Sequence, residues 1–62
     1  MTNTPEQKAK IKEANELARQ LMAKLYELRA TYHPLSKAWD YIPDAQGKLE
    51  RIKQDIVELD KL

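Results

Sequence analysis

From Ile11 to Tyr32 the apolar residues recur in steps of three and four. With Ile11 at heptad position a, that position holds Ile11, Ala18, Leu25 and Tyr32, and position d holds Ala14, Leu21 and Leu28. Leu17 and Met22 widen the stripe on its two sides. A period of 3.5 over three heptads is a coiled-coil seam, not a strand pattern. Thr4-Pro5-Glu6-Gln7 opens this arm. Thr4 can accept from the Gln7 amide while the Gln7 side chain reaches back, and Pro5 at the first helical position loses nothing by lacking an N–H. Up to Tyr32 there is neither Gly nor Pro, and the residues are mostly strong helix formers. Pro34 then disfavours helical geometry at His33. The pattern predicts a helix over residues 5–32, about 42 Å long at 1.5 Å per residue.

The second arm repeats the pattern in its later half. Leu49 and Ile56 occupy position a, and Ala45, Ile52 and Leu59 position d, with Val57 and Leu62 at the flanks. Asp44 as a cap, or Pro43 in the first turn, starts a helix over residues 44–62. Gly47 weakens it, or permits a close backbone contact. In residues 35–42, Leu35, Trp39 and Ile42 share a helical face, which predicts a short helix ending at Pro43 or continuing through a proline kink.

Arms 5–32 and 35–62 are equal in length, and the bend at 33–34 predicts an all-α antiparallel hairpin forming a single domain over residues 1–62. One hairpin cannot cover both stripes. Two would, as a coiled-coil-like dimer closing into a four-helix bundle. The competing architecture is a three-helix monomer with 35–42 as its middle helix. The expected core or oligomer residues are Ile11, Leu17, Leu21, Leu25, Leu28, Trp39, Leu49, Ile52, Ile56 and Leu59.

Composition sharpens the dimer expectation. The chain has 62 residues, and domains of that size bury only about 60% of their unfolded surface. There is no Cys to form a disulfide or thiolate site, and one His cannot make a structural zinc centre. A partner subunit is then the available source of stability. No metal or cofactor is expected. No apolar run approaches the roughly 20 residues that span a bilayer, and Met1 to Glu6 lack the basic and apolar regions of a secretory leader. The balanced seams also speak against a membrane-surface helix. This predicts a cytoplasmic protein, of a bacterium or a phage-infected host.

Chemistry for catalysis is sparse. His33 is the sole His, and the hydroxyls near it in sequence (Thr31, Tyr32, Ser36, Tyr41) form no local motif. The carboxylates fall at outer heptad positions, without the inward Glu-x-x-His spacing of di-iron bundles. No glycine-rich phosphate loop is present. A non-enzymatic role is expected.

Two features suggest binding. Positions b and e of the first arm carry Lys8, Lys12, Asn15, Arg19, Met22, Tyr26, Arg29 and His33, with no acid among them. Such a stripe can dock an acidic protein surface, or hold phosphates and stack a base on Tyr26. It can equally be a helix flank whose cations pair with Asp44, Asp55, Glu58 or Asp60 of the second arm. The aromatics Tyr26, Tyr32, Trp39 and Tyr41 cluster about the bend. Tyr and Arg are enriched at binding hot spots, although Trp39 and Tyr32 also suit the plug of a thin bundle and His33 a turn cap. The expected partner surface is Tyr26, Arg29, His33 and Tyr41, extended by Arg19 and Lys12. The sequence thus predicts a small interaction module, an inhibitor, regulator or adaptor of a larger protein, of a size and style that fit a phage- or mobile-element product. The alternative is an RNA-, DNA- or nucleotide-binding bundle using the basic stripe. A net charge of +1 is small for a nucleic-acid binder.

Overall fold

The computed structural model describes residues 2–62. Two helices, α1 (Pro5–Ala30) and α2 (Ala38–Asp60), pack antiparallel as a hairpin, and no strand occurs among the described residues. Lys8 at one end meets Asp60, and Arg29 at the other lies over Trp39, which fixes the register.

The start of α1 follows its sequence. The Gln7 amide donates to Thr4 Oγ1 at 3.1 Å, and the Thr4 amide donates to Gln7 Oε1 at 2.7 Å. Two amides that α1 itself cannot satisfy are thereby paired. The helix stops at Ala30, two residues earlier than the pattern predicts. Thr31 is the reason: its hydroxyl donates to the Leu28 carbonyl at 2.7 Å, and its amide donates to the same oxygen. That local bond competes with another helical turn. Tyr32 therefore belongs to the bend and is exposed, rather than plugging the bundle.

The second arm differs more. Residues 35–42 do not form a separate helix, and the chain is not broken at Pro43. The middle helix of the three-helix alternative is absent among the described residues. Residues 35–37 lie in the bend, where the Ser36 amide donates to the His33 carbonyl and the Leu35 amide to His33 Nδ1. His33 is thus a turn cap. Leu35, expected to share a face with Trp39, is 89% exposed because it precedes the helix. Pro43 sits inside α2, where its missing N–H forfeits the bond to the Trp39 carbonyl. Asp44 does not cap the helix and pairs instead with Lys48. Lys37, the N-cap residue, makes no side-chain cap bond.

The far end of α2 has no basic residue of its own in the last turn. The N-terminal arm supplies the missing donors. Lys8 Nζ donates to the Asp60 carbonyl at 2.6 Å and pairs with its carboxylate at 3.1 Å. Asn3 Nδ2 donates to the Leu59 carbonyl at 2.8 Å, and the Asn3 amide to the Leu62 carbonyl. A cation and amides at carbonyls left open by a helix C-terminus are stabilising. These bonds fasten the open end of the hairpin.

The core is thin. Ala18, Met22 and Leu49 form it, with Leu25 and Ile56 packed against them, and Ile42 is buried near the bend. On α1 the face turned toward α2 is Ile11, Asn15, Ala18, Met22, Leu25 and Arg29, the residues of positions a and e. The stripe is therefore rotated from the predicted a/d seam toward position e. Ala18, opposite Leu49, lets the helices approach. Gly47 serves no such approach, since a Cβ there would have nothing within 4 Å. Gly47→Ala should raise stability by about 1 kcal/mol, the helix-propensity difference. An unchanged or lowered denaturation midpoint would show that Gly47 has a packing role.

Candidate interaction surfaces

The rotation of the stripe leaves two long faces uncovered. They lie on opposite sides of the hairpin, as their edges show. Leu59 lines a shallow groove with Gln7 and Lys10 on one side, and Val57 lines a groove with Lys8 and Lys12 on the other.

The first face is apolar. Leu17, Leu21 and Leu28 of α1 and Ile52 and Leu59 of α2, five residues expected in the seam, are exposed in the single chain. Leu17 is 64% exposed and Leu21 51%. A two-helix pair has one shared face, and here positions a and e occupy it. Ile11, Leu25, Leu49 and Ile56 are the seam residues that the hairpin itself covers or half covers, with Trp39 half-buried at the bend.

The second face carries the basic stripe. Ile11 and Ile56 form part of an open groove whose other linings are Lys8, Lys12, Asn15, Val57 and Asp60. Lys12 has no ion-pair partner among the described residues, whereas Lys8 is held by Asp60. Arg19 lies 3.7 Å from Glu16 of its own helix. Tyr26 is 59% exposed further along the stripe. The expected pairing of α1 cations with α2 acids is realised at Lys8 and Asp60. Asp55, Glu58 and Asp44 instead pair locally on the second arm, with Arg51, Lys61 and Lys48. Exposed pairs at these spacings contribute a few tenths of a kcal/mol each.

The residues expected to bind a partner are not all brought together. Lys12, Arg19 and Tyr26 share one line. Arg29 is turned inward: its guanidinium lies 4.4 Å from the Trp39 ring centroid, and its Nε is buried without a hydrogen-bond partner. His33 is engaged in the bend. Tyr41 is 71% exposed but lies on α2, where it lines a separate hollow with Lys37, Asp40 and Asp44. Asp60, one of the acids of the second arm expected to pair with these cations, enters the stripe on α1, so the basic face is not acid-free in three dimensions.

Among the described residues, no group of three or more His, Cys, Asp or Glu side chains is placed to hold a metal ion, and no helix is long and apolar enough to cross a membrane. Fold and surfaces together define an all-α helical hairpin with one uncovered apolar face and one uncovered basic and aromatic face. Comparison with protein families, curated proteins and solved structures returns no match to this chain.

Proposed function

We propose that the chain is a non-enzymatic protein-interaction module, acting as an inhibitor, regulator or adaptor of a larger protein. It works as a homodimer of hairpins closing into a four-helix bundle. The observation that carries this reading is the row of large apolar side chains left in solvent along one face. Exposed apolar surface of this extent in a small protein marks a contact site. The basic and aromatic face supports the second part, a partner of acidic character. Lys12 offers an unpaired cation beside the apolar floor of Ile56 and Val57, and Tyr26 offers an amphipathic ring.

Affinity capture from host cytosol, with and without nuclease, tests the reading. A protein retained after nuclease treatment is expected. Lys12→Ala combined with Tyr26→Ala should reduce its capture at least tenfold while leaving helicity unchanged. Arg29 is unsuitable for this purpose, because its loss also removes the contact with Trp39. Capture that nuclease abolishes, together with binding that weakens steeply with salt, would establish the nucleic-acid reading instead. Unchanged capture by the double variant would move the docking site off this face.

A further inference from the structure

We infer that a second copy of this chain covers the face bearing Leu17, Leu21, Leu28, Ile52 and Leu59, and that the basic groove stays outward on both sides of the resulting bundle. This rests on the homodimer reading above and names the surface that makes it.

Area is the first argument. The chain exposes 5173 Å². A folded monomer of 7.3 kDa exposes about 4,200 Å² by the usual mass scaling. The excess of about 1,000 Å² is close to the roughly 800 Å² that each partner contributes to a standard interface. The shape agrees, with Cα extents of 48 × 15 × 9 Å, a slab one helix thick. Stable domains pack two layers around a core, and this chain supplies one.

Self-complementarity is the second argument. The register set by Lys8 with Asp60 and Arg29 with Trp39 orders the face into layers. Ala14 falls beside Ile52, Leu21 beside Ala45, and Leu28 beside Ala38. Each of these layers holds one large and one small side chain. Two such hairpins stacked face to face about a two-fold axis that runs along the helices set α1 of one over α2 of the other, and so large residues over small ones. An isologous interface requires a patch that matches itself in this way. The layers span about 21 Å from Ala14 to Leu28 at 1.5 Å per residue. The opposite face lacks this pattern, since Lys8, Lys12 and Arg19 lie along it.

Sedimentation equilibrium at about 100 μM should give twice the chain mass of 7.3 kDa. Leu21→Lys should reduce it to a single chain, and Val57→Lys, on the opposite face, should not. Leu21 lies outside the buried core of the hairpin, so its variant should keep the helicity of the single chain. A second measurement does not depend on that variant. The chain has no cysteine, so one introduced thiol reports its own surroundings. Leu28→Cys should be alkylated at least tenfold more slowly than Tyr26→Cys, and dilution should erase the difference. A wild-type chain that sediments as one copy, or equal alkylation of the two thiols at high concentration, overturns the inference. So does a dimer that Val57→Lys dissociates and Leu21→Lys does not. A chain that sediments singly yet still captures its partner overturns this interface and leaves the interaction module standing. A dimer that captures nothing does the reverse.

Discussion

Leu49→Ala should bring the chain to the edge of unfolding. Leu49 is 5% exposed and joins Ala18 and Met22 in the centre of the hairpin, with Leu25 and Ile56 packed around them. Truncating a buried Leu typically costs 2–5 kcal/mol, the loss of transfer energy plus the cavity. At 0.05–0.15 kcal/mol per residue, a chain of 62 residues has about 3–9 kcal/mol in total. One substitution therefore removes a large fraction of it. Of the two buried neighbours, Met22 is flexible enough to move into the gap and Ala18 is not. Collapse around Met22 would place the cost at the lower end of the range. Guanidinium denaturation followed by far-UV circular dichroism is the measurement, with Ala23→Ser as the control at an exposed position. A midpoint for Leu49→Ala equal to that of Ala23→Ser would show that the helices do not pack through this residue.

Trp39→Ala should have the next largest effect, about 3 kcal/mol, and it should act through the bend. The indole Nε1 donates to the Tyr32 carbonyl at 3.0 Å, and the ring lies beneath the Arg29 guanidinium. Trp39 stands near the start of a helix whose cap residue Lys37 makes no side-chain bond. The indole thus ties both the end of α1 and the intervening bend to the first turn of α2. A Trp-to-Ala change in a packed site costs 3–5 kcal/mol, and the half-buried position of Trp39 puts it at the low end. Trp39→Phe separates the contributions. It keeps much of the ring area and the cation contact but loses the hydrogen bond, worth about 1 kcal/mol. Equal stabilities for Trp39→Ala and the wild type would mean that the bend is held by the His33 and Thr31 bonds alone. Equal costs for the Phe and Ala variants would place the whole effect on the hydrogen bond.

Sequence reading located most of α1 because its determinants are local. The Thr4 to Gln7 box, Pro5 and the absence of Gly and Pro up to Tyr32 act within a few residues of the backbone they direct. The bend was legible for the same reason, since Pro34 restricts its own neighbour. At Pro43 local rules leave two outcomes open, a helix ending there or one continuing through it, and α2 continues. A proline in the second turn of a helix costs one hydrogen bond, and the packing of Ile42 and Leu49 against α1 holds the helix together across it. Local rules count the lost bond and have no access to that packing. The candidate partner surface was legible as a list and not as a place. Lys12, Arg19 and Tyr26 follow from helical spacing along one arm. Arg29 turns inward because Trp39, ten residues away, offers it a ring.

The sequence by itself determined that the chain is all-helical, where its first helix begins, that it turns near Pro34, and that each arm carries a heptad-spaced apolar stripe wider than one partner helix can cover. These follow from period, propensity and capping, all of them short-range. Tertiary structure alone decided which part of each stripe the hairpin uses. A stripe that holds positions a, d and e can turn either flank toward its partner, and spacing does not distinguish them. The register set by Lys8 with Asp60 at one end and Arg29 with Trp39 at the other, with Ala18 opposite Leu49 between them, turned positions a and e inward. Leu17, Leu21, Leu28, Ile52 and Leu59 were left in solvent as a consequence, because two helices share one face and the remaining stripe has nothing within its own chain to cover it.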